Sequence, residues 1–230
     1  MEPVTLNTIP FQPDPSGLMK KLRIREGSPN SHDFQNLLNQ ARSCARPKAL
    51  YRLAFIEDKG EDCVRIEGRI FTSRVLRVNL ETAQRVFVYI ATCGTELEEW
   101  STSFEDLVFH YWADVIKDDA LHAAIQALNT HLDEHYLFAH ASNMHPGSLD
   151  DWPLPEQRPL FSLLGDAKAA IGVQLTESYL MVPSKTVSGL RFPIEESFES
   201  CTLCPRPDCP SRKAAYDPDL FEQKYRIHLA

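Results

Sequence analysis

The sequence predicts an α+β protein with one main domain. Helical and strand-like segments are mixed along the 230 residues, without the regular strand–helix alternation that is typical of a parallel sheet. Residues 104–136 keep their apolar side chains at helical spacing throughout, which predicts one long helix in the core. Cys201, Cys204 and Cys209 lie close together near the C-terminus, so the chain is expected to end in a tail with its own chemistry.

Helical spacing and stop signals indicate four further helices. A short helix is predicted at 16–22, inside the proline-rich and polar segment 1–30. In 31–46 the apolar residues recur on one face until a proline ends the helix. In 95–100 glutamates occupy the first turn, where the helix dipole favours negative charge. In 155–164 a leucine pair precedes a glycine, which is typical of a helix C-terminus.

Short apolar runs bounded by turn residues predict the strands. These runs lie at 50–56, 64–66, 86–92, 171–175 and 186–192. Lys59-Gly60 and Gly68 mark tight turns, whereas 139–151 is small, polar and turn-prone and predicts a loop.

This order of elements divides the chain into three parts. The predicted parts are an extended segment at 1–30, the main domain at 31–195 and a cysteine-rich tail at 196–230.

Composition and charge exclude several classes of function. The net charge is −8, and no cluster of Lys and Arg could bind a phosphate backbone, so nucleic-acid binding is not expected. The N-terminus lacks the charged and apolar regions of a signal peptide. No apolar run approaches the roughly 20 residues of a membrane span. A cytoplasmic protein is therefore expected, and its six cysteines are interpreted as thiols or metal ligands rather than disulfides.

The spacing of Cys201, Cys204 and Cys209 suits a metal that prefers soft ligands. Thiolates favour zinc, copper(I) or iron–sulfur clusters over hard ions. Closed sites of this kind use four protein ligands, so one is missing from the run. Cys93, which follows the strand at 86–92, is the candidate for the fourth ligand, and His145 is the alternative in a zinc site. The remaining alternative is that the cysteines bind no metal.

Two polar segments flank the helix at 155–164 and could form a ligand pocket. The residues singled out are Asn143, His145, Gly147 and Ser148 in the first segment, and Glu177, Ser188 and Gly189 in the second. A carboxylate and backbone groups around glycine suit an amino-acid or ribose moiety, since backbone can approach a ligand closely at glycine. Ordinary surface loops are the alternative.

The same segments resemble the activation domain of cobalamin-dependent methionine synthase. The resemblance rests on Pro146-Gly147, the pair Leu163-Leu164, the run Leu-Thr-Glu-Ser-Tyr-Leu-Met-Val-Pro at 175–183, and Val-Ser-Gly-Leu at 187–190. It implies a helmet-shaped α+β domain with a twisted, mainly antiparallel sheet, which binds S-adenosylmethionine in a shallow groove. The domain presents this methyl donor to the cobalamin of a partner, and an electron-donor protein supplies an electron.

This chain departs from the family pattern in the groove and in the tail. The family motif reads Arg-x-x-Pro-Gly-Tyr, in which the arginine binds the carboxylate of S-adenosylmethionine and the tyrosine lies near cobalamin. Asn143 and Ser148 stand at those two positions here. The cysteine run is also an addition to the domain found fused to the synthase.

The leading hypothesis is a stand-alone protein that reactivates methionine synthase or another corrinoid protein. It would support reductive methylation of cob(II)alamin with S-adenosylmethionine and carry an iron–sulfur cluster on the cysteines. The alternative is a module that docks a corrinoid protein, with a structural zinc site and no redox role. The sequence leaves open whether the chain is itself an enzyme.

Overall fold

The computed structural model describes residues 1–137, 140–195, 198–209 and 212–226. Within them the strands are β1 (Val4–Leu6), β2 (Lys48–Lys59), β3 (Cys63–Ile66), β4 (Arg69–Thr72), β5 (Arg85–Thr92), β6 (Ala141–Met144), β7 (Gln174–Leu175), β8 (Met181–Val182) and β9 (Thr186–Pro193). The helices are α1 (Pro15–Lys21), α2 (Pro29–Cys44), α3 (Arg74–Asn79), α4 (Thr95–Thr102), α5 (Leu107–Tyr136), α6 (Gln157–Leu164) and α7 (Ala167–Ile171). Short 3-10 turns precede α6 and open the tail.

One antiparallel sheet organises the protein. Its strand order is β4-β3-β2-β5-β9-β6, with β1 paired to β2, and β7 and β8 form a separate hairpin. The two long apolar strands β2 and β5 are paired along eight residues and form its centre. β6 lies at the edge, where it pairs with β9 alone among the described strands.

Alternation of side chains along the strands gives the sheet two buried faces. On one face Phe87 and Tyr89 of β5 pack against the apolar stripe of α5. On the other, Val88 and Leu190 belong to the cluster that includes side chains of α3, α6 and α7. A third cluster joins α1, α2 and α4 to the first half of α5. The long helix in the core and the mainly antiparallel sheet of the predicted α+β class are thus confirmed.

Two local predictions are wrong. Residues 171–175 are not one strand, because Asp166 caps α7, which continues to Ile171, and Gly172 then takes a left-handed conformation that ends it. The segment 139–151 is not all loop, because β6 forms within it. Its small residues gain their backbone hydrogen bonds from β9, a long-range partner that local composition does not reveal.

The described part of the tail contacts the main domain near both of its ends. Tyr225 is fully buried, and its hydroxyl donates to Asn79 Oδ1 at 3.2 Å. The backbone N–H of Phe198 donates to Ser142 Oγ at 2.7 Å, which attaches the start of the tail to β6. Among the described helices none is long and apolar enough to cross a membrane.

Candidate functional site

The candidate site lies at the edge of the sheet, where the chain leaves β6 beside β9. His145 follows β6 directly, and its Nδ1 lies 3.0 Å from the carbonyl oxygen of Ser188. Since a carbonyl can only accept, Nδ1 carries the proton and Nε2 is the acceptor of a neutral ring. Burial lowers the pKa of His145, and the charge of Lys213 lowers it further. The ring is therefore neutral at physiological pH.

Two glycines allow this close approach. A Cβ on Gly189 would lie 2.5 Å from the carbonyl oxygen of Met144 and 2.7 Å from His145 Nδ1. Gly147 has a φ of +83°, a conformation that side chains disfavour, and a Cβ there would lie 2.9 Å from a methyl of Leu154. Both predicted glycines are thus required by the backbone that builds the site.

Two of the predicted polar side chains carry a buried atom that lacks a hydrogen-bond partner in the described structure. These atoms are Asn143 Oδ1 and Ser188 Oγ. A buried polar atom without a partner costs about 1–3 kcal/mol. An ordered water, an ion or a ligand can supply such a missing partner.

A partly buried ion pair that the sequence did not reveal adjoins Asn143. Arg191 of β9 pairs directly with Asn143 in the strand register, so both side chains lie on the face that α5 covers. Its Nη2 lies 2.5 Å from Oδ1 of Asp133 on α5. Side chains alternate between the two faces along a strand, so the sequence is enough to place Arg191 on the same face of β9 as Gly189. The approach of Asp133 to Arg191 depends on how α5 packs on the sheet and could not be predicted in this way.

Ser148 and Glu177 lie at different places. Ser148 is exposed and lines a groove of about 500 Å³ that Cys204, Tyr216 and Phe221 also border. Glu177 lies in the exposed turn between β7 and β8, and among the described residues no hydrogen bond or ion pair joins its carboxylate to the site. The structure therefore brings Asn143, His145, Gly147, Gly189 and the backbone carbonyl of Ser188 together, with Ser148 at the rim. The hydroxyl of Ser188 lies on the opposite face of the sheet, with Ile90 and Leu190.

The three tail cysteines are free thiols, each partly buried, in a loop that reaches this groove. The backbone N–H of Lys213 donates to Cys201 Sγ at 3.4 Å. Over the described parts of the chain, no three His, Cys, Asp or Glu side chains are arranged to hold a metal ion. The donor chemistry suits a soft metal, but the thiols as they stand do not form a site.

Cys93 lies in a different part of the protein. It is fully buried at the end of β5, in the cluster that contains Phe34 and Leu97. Burial, aided by the negative charge of Glu98, raises the pKa of its thiol to about 12. Leu203, beside Cys204, packs instead on the cluster of the opposite sheet face. The structure does not bring Cys93 to the tail cysteines.

Comparisons with known proteins agree with the resemblance. Residues 148–200 match the family model described as vitamin B12 dependent methionine synthase, activation domain. The fold is similar to that of the crystal structure of the MetH reactivation domain bound to AdoHcy, with a TM-score of 0.62 at 15% sequence identity. That similarity covers 86% of this chain and 80% of the other. No curated protein matches the chain.

The matched segment begins at the rim residue Ser148 and includes the helix α6, the β7–β8 hairpin and the strand that carries Ser188 and Gly189. The chain therefore has the fold of the methionine synthase reactivation domain, and its residues 148–200 match the model of that activation-domain family.

Proposed function

We propose that this protein reactivates a cobalamin-dependent methyltransferase of the methionine synthase type, acting as a separate chain on that partner. One electron reduces cob(II)alamin to cob(I)alamin. The cobalt of cob(I)alamin then takes the methyl group from the sulfonium of S-adenosylmethionine, which leaves S-adenosylhomocysteine. The similarity to the reactivation-domain fold covers 86% of the chain. In this proposal the cobalamin is a substrate bound by another module.

One observation carries the proposal. The segment after β6, which corresponds to the groove motif of the family, is fixed against β9 by the contact between His145 and the Ser188 carbonyl. Two buried polar atoms of these strands have no partner among the described residues, Asn143 Oδ1 on the face that α5 covers and Ser188 Oγ on the opposite face. Both atoms can accept a hydrogen bond. S-adenosylmethionine carries donors of the kind they lack, in its ribose hydroxyls and its α-ammonium group.

Arg191 supports recognition of the amino-acid end of this ligand. The family arginine would stand at Asn143, and Arg191 supplies a guanidinium on the directly opposite strand position. Its pairing with Asp133 sets a cation beside an anion, which is the charge pattern that complements the carboxylate and ammonium of an amino acid. Lys213, whose charge acts on His145, provides a second cation near the same loop.

The groove beside Ser148 supports docking of the partner. It has apolar and aromatic walls with a few polar groups, as ligand clefts commonly do. Tyr216 and Phe221 of the tail supply the aromatic surface, although the family tyrosine is replaced by Ser148. The corrinoid protein, with an electron-donor protein acting on the same complex, is the proposed partner.

The finer part of the proposal is an iron–sulfur cluster on Cys201, Cys204 and Cys209. Bound there, it would supply electrons at low potential, since such clusters reach about −700 mV whereas thiol–disulfide couples lie near −270 mV or higher. Cys204 borders the same groove as Ser148, which would place this group beside the docking surface. The second candidate is a structural zinc site that fixes the tail to a corrinoid-docking module without a redox role.

The test has two independent arms. In the first, S-adenosylmethionine and S-adenosylhomocysteine are titrated calorimetrically into the full chain, and transfer of labelled methyl is measured to cob(II)alamin on a synthase that lacks its own reactivation domain. Binding together with methylcobalamin formation supports the function, and failure of both overturns it.

In the second arm, protein purified without oxygen is analysed for iron, sulfide and zinc. Stoichiometric iron and sulfide support the cluster, whereas zinc alone supports the second candidate.

A further inference from the structure

A single residue outside the cysteine run holds the backbone of all three cysteines. Arg212 Nη1 donates to the carbonyl of Cys201 at 3.1 Å, and Nη2 donates to that of Cys204 at 3.1 Å. The backbone N–H of Arg212 donates to the carbonyl of Cys209, also at 3.1 Å. The guanidinium donates to two further carbonyls, those of Arg206 and Ala214.

These hydrogen bonds bring together the backbone of the cysteine segment, which could otherwise be extended. Nine residues can extend over about 30 Å, and a cysteine thiol reaches only one bond beyond its Cβ. Thiols from such a run can therefore meet only where the backbone is folded back on itself. A guanidinium offers five donors in one plane and so can hold several carbonyls around its edge. The donors of a lysine all lie on one nitrogen, so the carbonyls that it holds must converge on that single atom.

We propose that Arg212 is a positioning residue for a soft-metal site made by Cys201, Cys204 and Cys209. The guanidinium holds the backbone of Cys201 and Cys204, and the backbone N–H of the same residue holds that of Cys209. The three thiols do not yet meet at one point, so metal binding would draw them together from a backbone that Arg212 already restrains. The fourth coordination position is left to a ligand from outside these three cysteines. This inference rests on the metal-binding part of the proposed function and not on S-adenosylmethionine binding.

Contacts at the thiols agree with this role. The backbone N–H of Lys213, the next residue, donates to Cys201 Sγ, and hydrogen bonds to sulfur orient and tune metal-bound thiolates. Arg212 and Lys213 also bring two positive charges to the loop, which offset part of the negative charge that three thiolate ligands carry. Arg212 therefore contributes both to the backbone conformation of the proposed site and to its charge.

Cobalt(II) alone is the probe for the test, titrated without oxygen into the metal-free full chain. Binding is followed by the thiolate-to-cobalt charge-transfer absorption. We expect Arg212→Ala and Arg212→Lys to weaken cobalt binding about 10–100-fold, the usual cost of removing a residue that orients metal ligands. The absorption per bound cobalt should also fall, because fewer thiolates reach the metal. The control is Arg206→Ala, which removes an exposed arginine of the same loop and should leave both quantities unchanged.

The outcomes separate this inference from the broader proposal. Wild-type affinity and wild-type absorption per cobalt in Arg212→Lys would overturn the inference and leave the metal site standing. If the wild-type chain itself gives no charge-transfer absorption, the cysteines bind no soft metal, and both the cluster and the role of Arg212 fall. S-adenosylmethionine binding is measured separately and is untouched by either result. A purely structural role of Arg212 would lower thermal stability without changing the absorption per bound cobalt.

Discussion

Arg191 and Asn143 face each other across β9 and β6, with their side chains on the sheet face that α5 covers. The position at which the resembled family carries an arginine thus holds a neutral amide, while a guanidinium lies on the neighbouring strand. Asp133 fixes that guanidinium from α5. A cation therefore lies one strand pairing away from Asn143, beside the proposed site for S-adenosylmethionine.

Arg191→Lys tests whether this cation binds the amino-acid end of S-adenosylmethionine. Lysine keeps the charge but loses the planar pair of donors, so we expect affinity for S-adenosylmethionine to fall about tenfold, or about 1.4 kcal/mol. Calorimetric titration measures this. The matched ligand is 5′-methylthioadenosine, which lacks the amino-acid moiety and should bind both proteins equally. An equal loss for the two ligands would show that Arg191 supports only the fold.

Gly189→Ala tests the close contact that builds the site. The new Cβ would meet the carbonyl of Met144 and the ring of His145, and backbone cannot move aside cheaply. We expect the free energy of unfolding to fall by about 1–3 kcal/mol, measured by urea denaturation. The control is Gly17→Ala, whose nearest contacts would be with the exposed side chain of Asp14 and not with backbone. Equal stability of the two variants would contradict the tight packing at Gly189.

Periodicity and stop signals were enough to predict the elements whose cause is local. The helix α5 carries its apolar stripe in its own sequence, and α2 has its own stop signal, so both were predicted. The strand β6 could not be predicted in this way, because Ala-Ser-Asn-Met becomes a strand only through pairing with β9. The same reason explains why Arg191 and Asp133 were missed, since they meet only when α5 is laid over the sheet.

The close backbone contacts of the candidate site could be predicted, because its glycines carry a local signal. Gly147 and Gly189 mark places where backbone approaches other atoms closely, and the structure has such contacts at both. Glu177 shares a polar sequence segment with Ser188, which predicts that the two lie together, yet the β7–β8 hairpin holds Glu177 in an exposed turn. Sequence proximity fails here because a hairpin directs its turn away from the strands that flank it.

The burial of His145 predicts a specific dependence of stability on pH. Its pKa is lowered in the folded state, so the unfolded chain binds the proton more readily. The free energy of unfolding should therefore carry no penalty from His145 above the ordinary histidine pKa of about 6.5, and it should fall as the pH drops through and below that value. Urea denaturation at a series of pH values measures this slope.

The variant His145→Gln should lose less stability at low pH than the wild type. The control is His122→Gln, which changes an exposed histidine and should keep the wild-type slope. Identical slopes in all three proteins would contradict the burial of a neutral ring.

Cys93 gives the last prediction, because its position separates it from the tail cysteines. Its thiol is buried among apolar side chains near α2 and α4, and burial keeps it protonated. We expect Cys93→Ala to retain the full cobalt or iron content of the wild type after anaerobic loading, with a modest loss of stability from the smaller side chain.

The matched variants change the tail cysteines one at a time: Cys201→Ala, Cys204→Ala and Cys209→Ala. Each of them should lose most of the metal, since each removes one of three ligands. Metal analysis and charge-transfer absorption on the four variants decide the matter. Loss of metal from Cys93→Ala to the same degree would make Cys93 the fourth ligand and would require the tail to rearrange towards the end of β5.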